Sequence, residues 1–440
     1  MIKIQNREDL LCENIGRDAE GALTFAGQDL SALAKTYGTP LYLYDEARIR
    51  NRMRTYLSAV EKAFGGRGHV QYASKAASFK RLYEIAAEEG MGIDVVSCGE
   101  IYTAMAAGFP LEHAYFHSNN KTDADIAFAM ENGVGTFVAD NAEELYAISA
   151  EAERRGTCQR VLLRITPGID PHTYAAVATG KVDSKFGSAI ETGQAERITA
   201  LALSLPGIAL CGFHCHVGSQ IFDASVYLST QKIMLGFVAD MYKKHGFLAE
   251  ELDLGGGLGV RYTKDQPALD IEATLSAVAN AMREEADQLG IPMPMVSFEP
   301  GRSIVADAGM ALYSVGSRKK IPGYKTYISV DGGMTDNPRF ALYGSPYTVL
   351  PVSAHAGAEE LCSVVGRCCE SGDILQEGVS LPVDLARGEL LAMLTTGAYQ
   401  YSMASNYNRI PRPAVVMLND GKSYLAVRRE TVADLVRLDV

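Results

Sequence analysis

Polar residues of catalytic type stand directly behind short apolar runs, repeatedly, in the first 305 of the 440 residues. Tyr72-Ala73-Ser74-Lys75 ends the first run, Asp94 to Glu100 the second, and His117-Ser118-Asn119-Asn120-Lys121 the third. His214-Cys215-His216-Val217-Gly218-Ser219 ends the sixth, Gly255-Gly256-Gly257-Leu258-Gly259 the seventh, and Glu299-Pro300-Gly301-Arg302 the eighth. One such cluster is weak, but six at equivalent places are hard to explain by packing. A lysine is ordinarily a solvated surface residue. Held at a strand end with a lowered pKa, Lys75 can instead form a Schiff base with an aldehyde cofactor. The side-chain-free backbone of Gly255–Gly257 can approach a phosphate and offer several N–H donors; a tight strand–helix turn is the structural alternative. The spacing is not that of the dinucleotide fingerprint. A reactive lysine with a phosphate site makes pyridoxal phosphate the natural cofactor. Glu299 can hydrogen-bond a protonated pyridine nitrogen, or form a salt bridge to Arg302. His214 and His216, two apart, face one side of a strand. Such a pair can bind metal, but no third ligand has suitable local spacing, so no metal is expected and a histidine packed on a flat cofactor ring fits better.

These groups need elements to position them. The apolar runs are His69–Ser74, Ile93–Ser97, Ala114–Ser118, Thr136–Asp140, Val161–Thr166, Ala209–Val217, Leu252–Gly255 and Met295–Glu299. Between them lie Ala- and Glu-rich stretches with helical spacing, such as Phe79–Glu89, Ala142–Arg155 and Leu275–Leu289. Eightfold strand–helix alternation predicts an α/β fold, a parallel (β/α)8 TIM-like barrel, whose catalytic groups sit at the C-terminal strand ends. An open doubly wound sheet is the rival. After Arg302 the runs become β-rich: Met310–Val315, Thr326–Val330, Tyr347–Val352, Leu361–Val365, Glu389–Thr395, Ala414–Leu418 and Ser423–Arg428. Asn419-Asp420-Gly421-Lys422 between the last two is a hairpin signal. The expected organisation is a barrel over 41–305 and a C-terminal β-rich domain over 306–440, with 1–40 joining the β domain.

Composition bounds the function. Lys plus Arg is 41 and Asp plus Glu is 53, a net charge of −12, which argues against general nucleic-acid binding. No stretch approaches the roughly 20 apolar residues of a spanning helix, and 1–13 lacks a signal-peptide core, so a cytoplasmic location with no membrane contact is expected. The 8 cysteines are scattered without a CxxC pair, which fits the same compartment.

The residues also carry a resemblance, over nearly the whole chain. YASKA (72–76), DVVSCGE (94–100), HSNNK (117–121), SKFG (184–187), GFHCHVGSQ (212–220), LDLGGGLG (252–259) and EPGRSIV (299–305) stand in order. VDGGMTDNPRFALY (330–343), CESGD (369–373) and GAYQYSMASNYN (397–408) follow. The chain resembles the diaminopimelate decarboxylases, in the fold-type III class of pyridoxal-phosphate enzymes shared with alanine racemase. The resemblance implies that Lys75 is the Schiff-base lysine, that His216 stacks on the cofactor ring and that Glu299 partners the pyridine nitrogen. Gly256, Gly257, Gly301, Arg302 and Tyr399 match the phosphate-binding positions. Arg302, Arg339 and Tyr343 match the residues that hold the distal carboxylate, with Tyr399 close to the substrate. Cys369 and Glu370 match a proton donor and a reader of the distal amino group, given by the neighbouring subunit of a homodimer. Ser118 replaces a commoner Gly, Gln400 stands where a small residue is frequent, and Tyr174 where His is often found; none removes a catalytic group.

The activity implied is decarboxylation of meso-2,6-diaminopimelate to L-lysine and carbon dioxide, the last step of lysine biosynthesis. Rival activities are a same-fold decarboxylase of ornithine, lysine, arginine or carboxynorspermidine, an amino-acid racemase, and a non-catalytic cofactor-binding homologue. Arg339 and the CESGD run favour diaminopimelate, since a basic substrate side chain wants an acidic pocket. A racemase needs a second base opposite Lys75, and a non-catalytic homologue commonly lacks the lysine or the cysteine.

Overall fold

In the computed structural model, which describes residues 10–169 and 182–440, the eight apolar runs become eight parallel strands. They are β1 (Gly68–Ala73), β2 (Gly92–Val95), β3 (Ala114–Phe116), β4 (Thr136–Ala139), β5 (Gln159–Thr166), β6 (Ile208–His214), β7 (Glu251–Asp253) and β8 (Met295–Phe298). Each pairs with the next, and β8 pairs with β1, which closes the barrel and excludes the open sheet. The strands read as continuous apolar runs because both faces are buried: Leu162 and Leu163, adjacent on β5, are each 0% exposed.

The helices are amphipathic and punctuated. Ile271–Leu289 starts at Asp270, whose carboxylate accepts from Ala273 N, and stops at left-handed Gly290. It buries Leu275, Val278, Ala279, Met282 and Ala286, a helical stripe. Each large apolar side chain so buried contributes roughly 1.5–3 kcal/mol. Ala142–Arg155 begins at the Asn141 cap and ends at left-handed Gly156, as its spacing predicts. Some glycines exist for close approach alone. A Cβ on Gly212 would lie 1.8 Å from Glu251 O, and one on Gly135 2.0 Å from Glu112 O.

The described residues form two compact units. One lies within Arg52–Gly259 and Leu269–Ser303 and holds the barrel; the other lies within Met1–Asn51, Val260–Ala268 and Ile304–Val440. The second is built on a mixed sheet in the order Ile374–Pro382, Glu359–Val365, Lys325–Val330, Gly309–Ile321, Leu41–Asp45, Ala414–Asn419, Lys422–Val427. Leu390–Leu394 and Val349–Pro351 branch from Gly309–Ile321. Asp420 and Gly421 both have positive φ, 48° and 71°, the twist a two-residue hairpin needs.

Two features differ from the sequence expectation. Leu41–Asp45, assigned by sequence to the barrel segment, pairs with Gly309–Ile321 and Ala414–Asn419 in the β unit. Its five residues are all buried, so its pattern is that of a barrel strand. Ile374–Pro382 is a strand absent from the expected β-rich runs, because Gln376, Glu377 and Gly378 interrupt any apolar run. The N-terminal strands Ile15–Arg17, Leu23–Phe25 and Gln28–Asp29 form a small sheet of their own. Leu23 and Phe25 from it share a core with Leu312 and Val416.

Among the described residues, no helix is long and apolar enough to cross a membrane. Tyr174 lies outside the described residues.

Candidate active site

The barrel unit gathers its reactive groups at one rim. Strand β1 ends at Ala73, and a single tight turn, Ser74–Ala76, carries Lys75. Ser74 and Ala76 are buried on either side, so the lysine is the member of the turn that projects. Its ammonium lies 2.7 Å from Asp94 Oδ2, and the Asp94 side chain is fully buried on β2. Beyond β3, His117 is fixed by its backbone N–H donating to Val95 O at 2.8 Å.

Glu299, one residue past β8, is the centre of the cluster. His117 Nε2 lies 2.6 Å from one carboxylate oxygen and His214 Nε2 3.2 Å from the other. The two imidazole rings meet edge-on at 4.9 Å. Burial opposes ionisation of Glu299, but the two imidazoles outweigh it and hold the carboxyl well below the usual range. Burial pushes His214 down to about 4, against the pull of Glu299, so near neutrality it is an uncharged donor beside a carboxylate. His216 is also pushed well down, first by burial and then by Arg164 and Lys75. Its Nδ1 accepts from Gly256 N at 3.3 Å.

The glycine run is tightly built. Gly255 N donates to Asp253 Oδ1 at 2.7 Å, and Tyr227 O–H donates to Gly256 O at 3.0 Å. A Cβ on Gly256 would sit 2.1 Å from Glu299 O, and one on Gly257, where φ is 113°, 2.2 Å from Gly218 O. Gly301 is likewise pressed on Ala73, 2.9 Å from a would-be Cβ. Arg302 is buried, and its Nε and Nη2 donate to Ser219 Oγ at 3.2 and 3.0 Å. Glu299 thus pairs with imidazoles, while Arg302 is engaged by Ser219.

These residues suit pyridoxal phosphate. An anionic carboxylate is what a protonated pyridine nitrogen needs, and a glycine cradle that admits no Cβ suits a phosphate. Buried His214 Nδ1 and Asp94 Oδ1 have no hydrogen-bond partner among the described residues, so polar capacity remains for a ligand. His117, His214 and Glu299 do place ligand-type atoms within 4.8 Å of one another, a third ligand that local spacing did not reveal. Their spacing is that of hydrogen bonds. Ligands held tetrahedrally around an ion at ~2.1 Å stand roughly 3.4 Å apart, and His117 and Glu299 are closer.

In the β unit, Arg339 opens the short helix Arg339–Tyr343 and is buried. Its guanidinium lies 5.1 Å from the ring centroids of both Tyr343 and Tyr399. Tyr399 has a φ of 62°, unusual for a bulky side chain and of the kind that gathers at functional sites. Cys369 and Glu370 are exposed on the loop between Glu359–Val365 and Ile374–Pro382. Glu370 Oε1 is occupied by Ser371 Oγ and Gly372 N. The departures also find reasons. Ser118 has a φ of 151°, which accounts for a commoner Gly, and its Oγ accepts from Asn120 N. Buried Gln400 donates to Tyr347 O–H at 2.7 Å.

Asp94 and His117 lie in the DVVSCGE and HSNNK motifs, which give neither residue a role of its own. Their signal was available: each is a buriable polar residue at a strand's C-terminal end, the same signal that marks Lys75 and Glu299.

A closed barrel with a rim lysine, a glycine cradle and a buried anionic glutamate defines a class, the pyridoxal-dependent decarboxylases. The family described as "Pyridoxal-dependent decarboxylase, pyridoxal binding domain" matches residues 46–306. Diaminopimelate decarboxylase of Bacillus subtilis is 44% identical over 425 residues, covering 96% of each chain. That of Staphylococcus aureus is 41% identical, covering 94% of this chain and 97% of its own. The crystal structure of the M. jannaschii diaminopimelate decarboxylase in complex with L-lysine is 32% identical, with a TM-score of 0.89 over 97% of this chain and 98% of that one. The chain belongs to the diaminopimelate decarboxylase family.

Proposed function

We propose that this enzyme decarboxylates meso-2,6-diaminopimelate to L-lysine and carbon dioxide with pyridoxal phosphate, the last step of lysine biosynthesis. The observation that carries the chemistry is Glu299, held anionic between His117 and His214 at the rim that presents Lys75. When bound, the cofactor supplies the electron sink for the pair left by the departing carboxylate.

The chain's own residues do the rest. Lys75 would hold the cofactor through its amine, and Asp94 holds that amine at 2.7 Å. Glu299 would stabilise a proton on the pyridine nitrogen, and His216 would pack on the ring. Gly256, Gly257, Gly301, Arg302 and Tyr399, which match the phosphate positions, would hold the phosphate. Arg339, supported by Tyr343 and Tyr399, and Arg302 each match a distal-carboxylate position; a guanidinium–carboxylate pair is strong and directional. A substrate without that carboxylate leaves buried charge unpaired, which supports discrimination of several orders of magnitude. Glu370 reads the distal amino group. Cys369 gives its thiol proton to the carbon that has lost its carboxylate, and the thiolate regains a proton from water.

The enzyme works as a homodimer in the cytoplasm. Exposure of Cys369 and Glu370 on their own chain fits delivery to a partner's site, and free cysteines fit a reducing compartment. The test is carbon dioxide release from the cofactor-loaded protein with diaminopimelate and, separately, lysine, ornithine and arginine. Release from diaminopimelate alone is expected; release from a basic amino acid instead would overturn the distal-pocket assignment.

A further inference from the structure

Three loops of the β unit meet around one carboxylate. Asp373 is buried. Its Oδ1 accepts from Met334 N at 2.6 Å and its Oδ2 from Cys368 N at 2.7 Å. The niche is cut to fit it: a Cβ on Gly333 would lie 2.8 Å from Asp373 Oδ2, and one on Gly366 2.3 Å. Backbone bonds run alongside, from Gly366 N to Asp373 O at 3.0 Å and from Arg367 N to Gly332 O at 3.1 Å. The third loop arrives through Asn408, whose Oδ1 accepts from Cys369 N at 2.8 Å. Asn408 has a φ of 53°, a left-handed conformation asparagine tolerates. Ser405 N closes the circle by donating to Thr335 O at 2.8 Å.

Two consecutive amides are therefore each held by a side-chain oxygen, that of Cys368 by Asp373 five residues on in the same loop and that of Cys369 by Asn408 from another loop. The Cys369 side chain itself is left exposed. Fixing the backbone on the N-terminal side of a residue fixes the direction of its Cα–Cβ bond while leaving the side chain accessible. We infer that Asn408 and Asp373 are positioning residues that aim the Cys369 thiol, and that Asp373 also ties the cysteine loop to the segment leading into Arg339. This rests on the reading of Cys369 as proton donor. Proton transfer depends on geometry first, so a loosened loop slows the step and loses its facial preference before it loses binding.

The test compares Asn408→Ala, Asn408→Asp and Cys369→Ala in the holoenzyme, with Asp373→Asn as a second route to the same loop. Turnover in heavy water labels the ε-carbon of lysine, and the configuration of that CHD group reports the face of protonation. Alkylation of Cys369 by iodoacetamide, followed by peptide mass mapping of the cofactor-free protein, reports the loop independently of turnover. Asn408→Ala should lower kcat ~10- to 100-fold with little change in KM, scramble the label and alter the Cys369 alkylation rate. Asn408→Asp keeps an oxygen acceptor for the Cys369 amide and should restore all three. An Asn408→Ala enzyme with wild-type kcat and a single configuration would overturn the inference, as would a loss that Asn408→Asp fails to rescue. If Cys369→Ala itself keeps kcat and a single configuration, the donor assignment fails, and this inference with it.

Discussion

Asp336 offers a test of the electrostatics in the β unit. It is fully buried, and its two oxygens accept from Tyr313 O–H at 2.7 Å and Gly333 N at 2.9 Å. Burial pushes its carboxyl from 3.8 up to about 7, with Asp331 and Asp373 adding to the rise and the two hydrogen bonds opposing it. The folded chain therefore keeps a proton that the unfolded chain releases near pH 4. Between those values the folded state binds more protons, so stability falls as pH rises through the window. Integrated from pH 5 to pH 8, the loss is about 2–3 kcal/mol, at about 1.4 kcal/mol for each pH unit in the steep part. Asp336→Asn removes the titration and keeps the contacts, since the amide oxygen can accept from Gly333 N and the amide nitrogen can donate to Tyr313. The variant's stability relative to wild type should therefore climb by about 2–3 kcal/mol from pH 5 to pH 8. Urea unfolding of both proteins at pH 5, 6, 7 and 8 measures it. His214, pushed down to about 4, titrates in both proteins and cancels in the comparison. A stability difference that stays flat with pH would refute the reasoning.

Lys75→Ala should leave a protein with no absorbance from covalently held cofactor and no turnover, and retained turnover would remove Lys75 from its role. Gly256→Ala places a Cβ 2.1 Å from Glu299 O; overpacking of about 1–3 kcal/mol should weaken pyridoxal phosphate binding ~10- to 100-fold, and an unchanged Kd in a spectral titration contradicts the cradle. Mixing the inactive Lys75→Ala and Cys369→Ala proteins should recover about a quarter of wild-type activity if random reassortment gives one intact site per hybrid dimer. No recovery after demonstrated subunit exchange counts against shared sites.

The barrel was legible because its strands are buried on both faces and its polar residues stop abruptly at one end of them; Lys75, His214 and Glu299 all announce themselves this way. The boundary at 41 falls on Leu41–Asp45, an all-buried strand of the other unit, and burial on both faces is a pattern that barrel strands share with central sheet strands. Ile374–Pro382 was hidden by exposed polar residues on a strand whose pairing with Glu359–Val365 is decided in three dimensions. The partnership of His117 with Glu299 joins residues 182 positions apart, and strand neighbours in a closed barrel are not written in local spacing. The grip of Asn408 on Cys369 is a side-chain-to-backbone bond, and nothing in the asparagine's own neighbourhood marks it.

The glycines of the barrel wall have a consequence for how substitution tolerance would be read across this chain. Gly212 and Gly135 face carbonyl oxygens so closely that any side chain displaces a neighbouring strand or turn. A saturation survey scored by growth would rank them beside Lys75 as intolerant. The two kinds of intolerance part under a different screen. Replacing Lys75 should leave folded, soluble protein in normal amounts, whereas replacing Gly212 should deplete it. Abundance measured next to activity therefore sorts the positions that hold the wall from those that do the chemistry.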